Sequence, residues 1–425
     1  MRLLYLTANL LSSAGSAMAL LASTLLSSAA GSDGAMAATY TSLMLALNLL
    51  ASSLVMPYAP FLCSRFGTRR VTAVAYVLNL GAYAVLCAAI VAGLPGYPIL
   101  VAVSPLIGAM SGLARATTPP LLLGYLTGED LASAEAKTNV AGGAGFIVGA
   151  AGGAYLIDLT GPLVGFVGNI VLTIPFTLLF AFLAPTIEPQ RPTPVERPWR
   201  AFVQSLRTNH RLRRASILGL VAAALVGPLG YMIVPVTQDL GLPLAVHAGL
   251  ILAAIALGAA LSPVPVYQLG SRIGPLGSSG VAYAAAGVTL VGVGIVAVLV
   301  PESWLLAGVL AIAVVYGALL QAGASLLIDD AAEAADVVEH QQQNLAVFFL
   351  VIGLGAPLGT VLWGRTIDQF SASTVLLATG VAMTVFVAIA FVVLTRRGVK
   401  TAPAVARHPQ HHGDHGDHGD HDESS

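Results

Sequence analysis

The chain has 425 residues, of which 56% are hydrophobic and only 9% charged, with 19 Lys and Arg against 20 Asp and Glu for a formal net charge of −1. Soluble domains carry roughly 25% charged residues, so this composition excludes an ordinary water-facing fold. The net charge names no partner class, and no nucleic-acid partner is expected. Cys63 and Cys87 fall at or near apolar runs and imply neither a disulfide framework nor a CxxC metal site.

Segments 71–114, 138–157, 159–187, 215–238, 240–271, 303–328 and 369–395 contain no Asp, Glu, Lys or Arg. A membrane-spanning helix needs about 20 such residues. Turn signals such as "GSDG" at 31–34, "GLPGYP" at 93–98, "LTGP" at 159–162, "GLP" at 241–243 and "VPES" at 300–303 divide the runs. The predicted spans, in order, are 3–28, 35–62, 71–93, 98–122, 138–158 and 162–185, then 215–238, 244–269, 276–299, 304–327, 343–363 and 372–394. The first also has the charged start and small-x-small end of a cleavable signal, whose removal would leave five spans before the middle linker and six after it. The fold class is therefore an all-α membrane protein of twelve transmembrane helices. It divides into a six-helix bundle at 1–185, a polar linker at 186–213, a second six-helix bundle at 214–395 and a His-rich tail at 396–425.

Orientation follows from Lys and Arg in the loops. With the N-terminus cytoplasmic, every Lys and Arg except Arg365 falls on the inner side, so both termini are expected in the cytoplasm and the protein in the cell membrane.

The halves echo one another. "SRFGTRR" at 64–70 returns in part as "SRIG" at 271–274, and the Gly-rich runs from Asn139 and Asn344 repeat at nearly the same offset. Parallel repeats of this kind, with twelve spans, a long middle linker and a basic Gly loop between the second and third helices, resemble the major facilitator superfamily. The loop matches that family's signature at Arg65, Gly67 and Arg69, whereas Pro60, Ser64 and Thr68 replace its leading Gly, its Asp and one basic residue, and Arg70 restores a charge one place on. The stretch 128–156 is similar to the efflux branch that contains macrolide and siderophore exporters. The resemblance implies a secondary transporter working by alternating access, an exporter of a small organic molecule that is not an enzyme. In the resemblance the basic loop is a latch, here Arg65, Gly67, Arg69, Arg70 and Arg272. The acidic stretch 329–340, read as a loop and including Asp329 and Asp330, would be its partner or a merely solvated charge run.

In such transporters the substrate sits near the midplane between the halves, on the first and fourth helix of each. Asn9, Ser13, Ser16, Ser23 and Ser27 share one helical face, as do Ser104, Gly108, Ser111 and Arg115. Small polar residues equally serve close helix packing in membranes. An ionisable group such as Arg115 on a membrane helix marks a functional site by default, although its nearness to a helix end also permits snorkelling. Tyr231, Tyr316 and Gln321 are the candidate walls from the second half. No Asp or Glu is expected in mid-membrane; Asp158 and Asp368 are the weak candidates for coupling to a proton. No phosphate-binding Gly-Lys-Ser/Thr loop is present. His411, His412, His415, His418 and His421 of the tail, interleaved with carboxylates, have the chemistry to take Zn²⁺, Ni²⁺ or Cu²⁺; no other cofactor is implied. Two alternatives remain: a sensor that kept the fold and lost transport, and a metal-linked transporter that uses the tail.

Overall fold

A computed structural model of the chain describes residues 2–31, 36–125, 131–183, 198–242, 244–262, 274–334 and 338–396. Arg272, the candidate metal-binding histidines of the tail and the linker from 186 to 197 lie outside the described residues. Among those described, the secondary structure is helical throughout. Ten helices are long and apolar enough to cross a membrane.

In the first half, α1 (Arg2–Gly31) is continuous over 30 residues, about 45 Å at the helical rise of 1.5 Å per residue. The second span is α2 (Ala37–Val55), a 3₁₀ turn at Met56–Tyr58 and α3 (Ala59–Phe66). Pro57 and Pro60, which have no N–H to give to the ladder, mark these joins. α4 (Thr68–Val91), α5 (Gly96–Tyr125) and α6 (Leu131–Thr160) follow. α7 (Leu163–Leu178) contains Pro175, which withholds the donor that the Val171 carbonyl would take, and passes into a π turn at Leu179–Leu183.

The second half departs from expectation in three places. A polar linker is expected up to 213, and the structure places α8 (Pro198–Thr208) inside it and starts α9 (His210–Leu225) before its end. The single span expected at 215–238 is broken: after α9, a 3₁₀ turn at Gly227–Gly230 precedes α10 (Ile233–Asp239). Pro228 supplies the physical reason, since it withholds a donor and follows a Gly. The acidic segment 329–340 is not a single loop. α11 (Leu244–Leu261) and α12 (Pro275–Leu299) lead to α13 (Glu302–Glu333), which carries Asp329 and Asp330 in its last turns. α14 (Val338–Phe370) and α15 (Ala372–Arg396) complete the described helices.

The internal repeat is visible in backbone geometry. Gly67 precedes α4 with φ 83° and ψ 139°, and Gly274 precedes α12 with φ 77° and ψ 160°. This positive-φ, extended-ψ conformation is essentially open to Gly alone and costs a residue with a Cβ on the order of 1–3 kcal/mol, which accounts for Gly in both copies of the SRxG motif.

Helix packing repeats as well. A Cβ added at Gly149 would fall 2.1 Å from the carbonyl oxygen of Ala14, and one at Gly355 would fall 2.3 Å from that of Leu220. Gly153 against Met18 matches Gly359 against Ala224. From Gly149 to Gly355 and from Ala14 to Leu220 the shift is the same, 206 positions, so both partners of the contact repeat together. Close approach over glycine is how membrane helices gain dispersion contacts where lipid removes the hydrophobic drive. The most extensive contacts between the halves are α2 with α14 and α6 with α11, and α1 also meets α10 and α11.

Candidate functional site

The site builds outward from α1, the most enclosed of the described spans. Its polar stripe changes character along its length. Near the N-terminal end Asn9 and Ser13 are half-buried and Ser16 is exposed, whereas Ser23 and Ser27 are buried. Ser16 returns its hydroxyl to the Ser12 carbonyl (2.9 Å) and Asn9 donates to the Thr138 carbonyl of α6 (2.9 Å). One helix face thus runs from open at the end where the chain starts to sealed at the far end.

The seal at the far end is made of contacts between the halves. Both carboxylate oxygens of Asp368, on α14, accept from the first backbone N–H groups of α2, Ala38 at 3.1 Å and Thr39 at 2.8 Å. A helix N-terminus has such donors to spare and favours negative charge. Ser28 of α1 donates to Gln238 of α10 at 2.7 Å. A Cβ at Gly364 would fall 2.3 Å from the Ser42 hydroxyl, and one at Gly249 would fall 2.3 Å from the Ala154 Cβ. Towards the near end the α6–α11 pair is looser: a Cβ at Gly143 would stand 3.7 Å from that of Ala260.

The second half contributes the broken helix. Tyr231 is half-buried beside the 3₁₀ turn, and Gln321 of α13 is half-buried with its amide donating to Ser325 (3.3 Å). Tyr316 is fully buried, and its hydroxyl donates to the carbonyl of Val226, where the α9 ladder ends. Its hydroxyl therefore serves the break.

The stripe expected on the fourth helix divides between neighbours. Ser104 and Gly108 of α5 face α2: Asn48 donates to the Ser104 carbonyl at 3.2 Å, and a Cβ at Gly108 would fall 2.0 Å from the Asn48 carbonyl oxygen. Ser111 instead accepts from Asn79 of α4 at 3.0 Å. Arg115 is exposed and within electrostatic reach of Tyr76 on α4.

Of the basic loop, Arg69 is the anchored member. Its guanidinium donates to the carbonyls of Phe180 (3.3 Å) and Ala181 (2.6 Å) in the π turn that ends the sixth span. A cation on the unpaired carbonyls of a helix end is favoured by both hydrogen bonding and the helix dipole. Arg65 lies over the Phe66 ring at 5.5 Å, and Arg65 and Arg70 are exposed.

Sequence reasoning missed the corresponding tie in the second half. Arg211 of α9 meets Asp330 of α13 at 2.7 Å, with the Asp side chain 4% exposed and the Arg 43%. Asn209 caps α9 by accepting from the Leu212 N–H at 3.0 Å and donates to the Ala334 carbonyl at 2.7 Å. Opposite charges at the near ends of two adjacent helices, α9 and α13, were the available signal. Asp329 is exposed. Among the described residues there is no group of three or more His, Cys, Asp or Glu able to hold a metal ion.

Among solved structures, a point mutant of the nucleoside transporter NupG aligns with a TM-score of 0.68 at 15% identity, covering 92% of this chain and 99% of that one. A point mutant of the E. coli fucose:proton symporter FucP aligns with a TM-score of 0.57 at 12% identity, covering 91% and 97%. At these identities the likeness is one of fold. No curated protein matches in sequence. The sequence model of the Major Facilitator Superfamily matches residues 5–338, and the chain belongs to that family of membrane transporters.

Proposed function

We propose that the chain is a secondary transporter that exports a small organic solute across the cell membrane by rocking two six-helix halves about a central polar cavity. Twelve spans are counted when the broken α9–α10 unit and α11 are added to the ten long helices. An even count puts both termini on one side, which the Lys and Arg of the loops assign to the cytoplasm, and the open end of the stripe then faces inward. The observation that carries the reading is the stripe on α1, exposed at Ser16 and buried at Ser23 and Ser27, next to the Ser28–Gln238 bond between the halves.

Asn9, Ser13, Ser16, Tyr231 and Gln321 offer hydrogen bonds without fixed charge, which suits a neutral solute rich in donors and acceptors. The solutes printed for the two structural neighbours, a nucleoside and fucose, have that chemistry. Arg115 is the proposed charged contact, for a carbonyl-rich or anionic group of the solute. Asp368 is the proposed carboxylate through which a proton would couple to opening of the outer seal.

Counterflow in proteoliposomes tests this reading, with nucleosides, deoxysugars and a panel of growth inhibitors as solutes. Saturable exchange of one class supports it, and Arg115→Gln should abolish that exchange without loss of folded protein. Absence of exchange with every class, in protein that binds one of them, points to a sensor. Removing residues 408–425 should leave exchange unchanged; a metal-dependent loss would move the tail into the mechanism.

A further inference from the structure

α8 sits between the two halves of the chain and has two unlike sides. Trp199, Phe202, Val203 and Leu206 recur at helical spacing on one, and Arg200, Gln204 and Arg207 on the other. Leu206 is half-buried against the main core, but Val203 remains 43% exposed. The helix contacts the 3₁₀ turn at Met56–Tyr58 in the first half and α14 in the second, and Asn209 alone joins it to α9. It therefore touches one span from each half and, through Asn209, abuts the Arg-rich start of α9, where that span meets the bilayer surface. Segment 191–214 holds seven Arg and a single Glu. Arg207, Arg213 and Arg214 are exposed; Arg213 also contacts the His210 ring at 2.7 Å, and Arg211 is engaged by Asp330.

An apolar edge flanked by arginines, beside span ends, has the chemistry of an interfacial helix. We propose that α8 lies in the membrane surface with Val203 among the lipid chains and its arginines on anionic headgroups, so that lipid charge acts on both halves through one strap. Anionic lipid is favoured over a soluble partner because the cations are many and nearly unopposed, and juxtamembrane arginines gain from a negative leaflet.

The test uses the full chain in nanodiscs of phosphatidylcholine with and without phosphatidylglycerol. An environment-sensitive fluorophore is placed through Val203→Cys, with Cys63 and Cys87 replaced by Ala. Emission should shift to shorter wavelength only with phosphatidylglycerol and return in high salt. Arg207→Glu with Arg214→Glu should abolish the shift, since each arginine lost weakens surface binding roughly fivefold. A probe at Gln204→Cys should stay at its aqueous value. Should the Val203 probe read as aqueous in both lipids, or as buried in both lipids and in detergent, the proposal is overturned, the latter because the protein itself covers the site. Hydrogen exchange over 198–208 in the unaltered protein guards against an effect of labelling. Slower exchange with phosphatidylglycerol is expected, and equal exchange in both lipids contradicts the proposal.

Discussion

The two halves hold their last helix in different ways. In the first half α7 lies chiefly along α1, where Met18 reaches Gly165 and Gly168, and less along α4. In the second half α15 lies chiefly along α12, where Gly287 and Gly380 bring the backbones together, and only lightly along α9. The first helices explain the contrast. α1 is continuous and presents a full-length face, whereas its counterpart is broken at Gly227–Pro228 and presents two short ones. A repeat that kept its close glycine contacts thus diverged at its first helix, and the divergence frees a carbonyl that Tyr316 satisfies.

The shared part of the repeat should be the least tolerant of change. Gly149→Val and Gly359→Val each drive a side chain into a backbone carbonyl, 2.1 Å and 2.0 Å from the new Cβ. Neither helix yields without losing its partner, so the cost should reach or pass the upper end of about 1–3 kcal/mol for overpacking. Folded protein in size-exclusion chromatography should be lost in both. Gly152→Val, with nothing within 4 Å of its Cβ, should fold; if it fails equally, glycine packing is not what joins these helices.

The divergent part should respond next. Tyr316→Phe leaves the Val226 carbonyl without its donor, at a cost of about 1–3 kcal/mol, seen as a lower melting temperature. Adding Pro228→Ala restores a backbone donor and lets the helix run on, so the double variant should recover part of the loss. Strict additivity in that cycle would show that Tyr316 does not serve the break.

The near-end ties should matter less. Arg69→Ala removes two hydrogen bonds to the end of the sixth span; with the arginine partly exposed, about 1 kcal/mol is expected. Arg69→Lys keeps a charge but loses the planar fork and should retain only part of the stability. Arg65→Ala should change the melting temperature least, by under about 0.5 kcal/mol equivalent, because its side chain is exposed over Phe66 alone.

Hydropathy made most of the spans legible because lipid admits so few solutions for a backbone. It passed over the break in the seventh span because an apolar run stays apolar through Gly227–Pro228, although Gly-Pro is itself a turn signal. α8 was hidden for the opposite reason: a run dense in Arg and Pro reads as linker unless the spacing of Trp199, Phe202, Val203 and Leu206 is counted. The Ala-rich acidic segment reads as a loop by charge, yet Ala and Glu are strong helix formers, and Asp330 is held at the end of α13 by Arg211. On α5 a helical face was legible but its neighbours were not, so residues placed on one wall by periodicity divide between α2 and α4. The anchoring role of Asp368 depends on an α2 terminus some 330 residues away in the chain, a proximity that no local pattern contains.

The central claim, that one polar stripe opens alternately to the two sides, is tested most directly by cysteine accessibility. With Cys63 and Cys87 replaced by Ala, Ser16→Cys and Ser27→Cys are exposed to a membrane-impermeant thiol reagent from each side of sealed vesicles. In the state described here Ser16→Cys should react only from the side of the termini and Ser27→Cys from neither. Asp368→Ala, which removes the cap of α2, should make both reactive from the far side and slow the near-side reaction of Ser16→Cys. If Ser16→Cys stays open to the near side alone in every variant and with every exchanged solute, the stripe is a fixed vestibule and the account of alternating access is wrong.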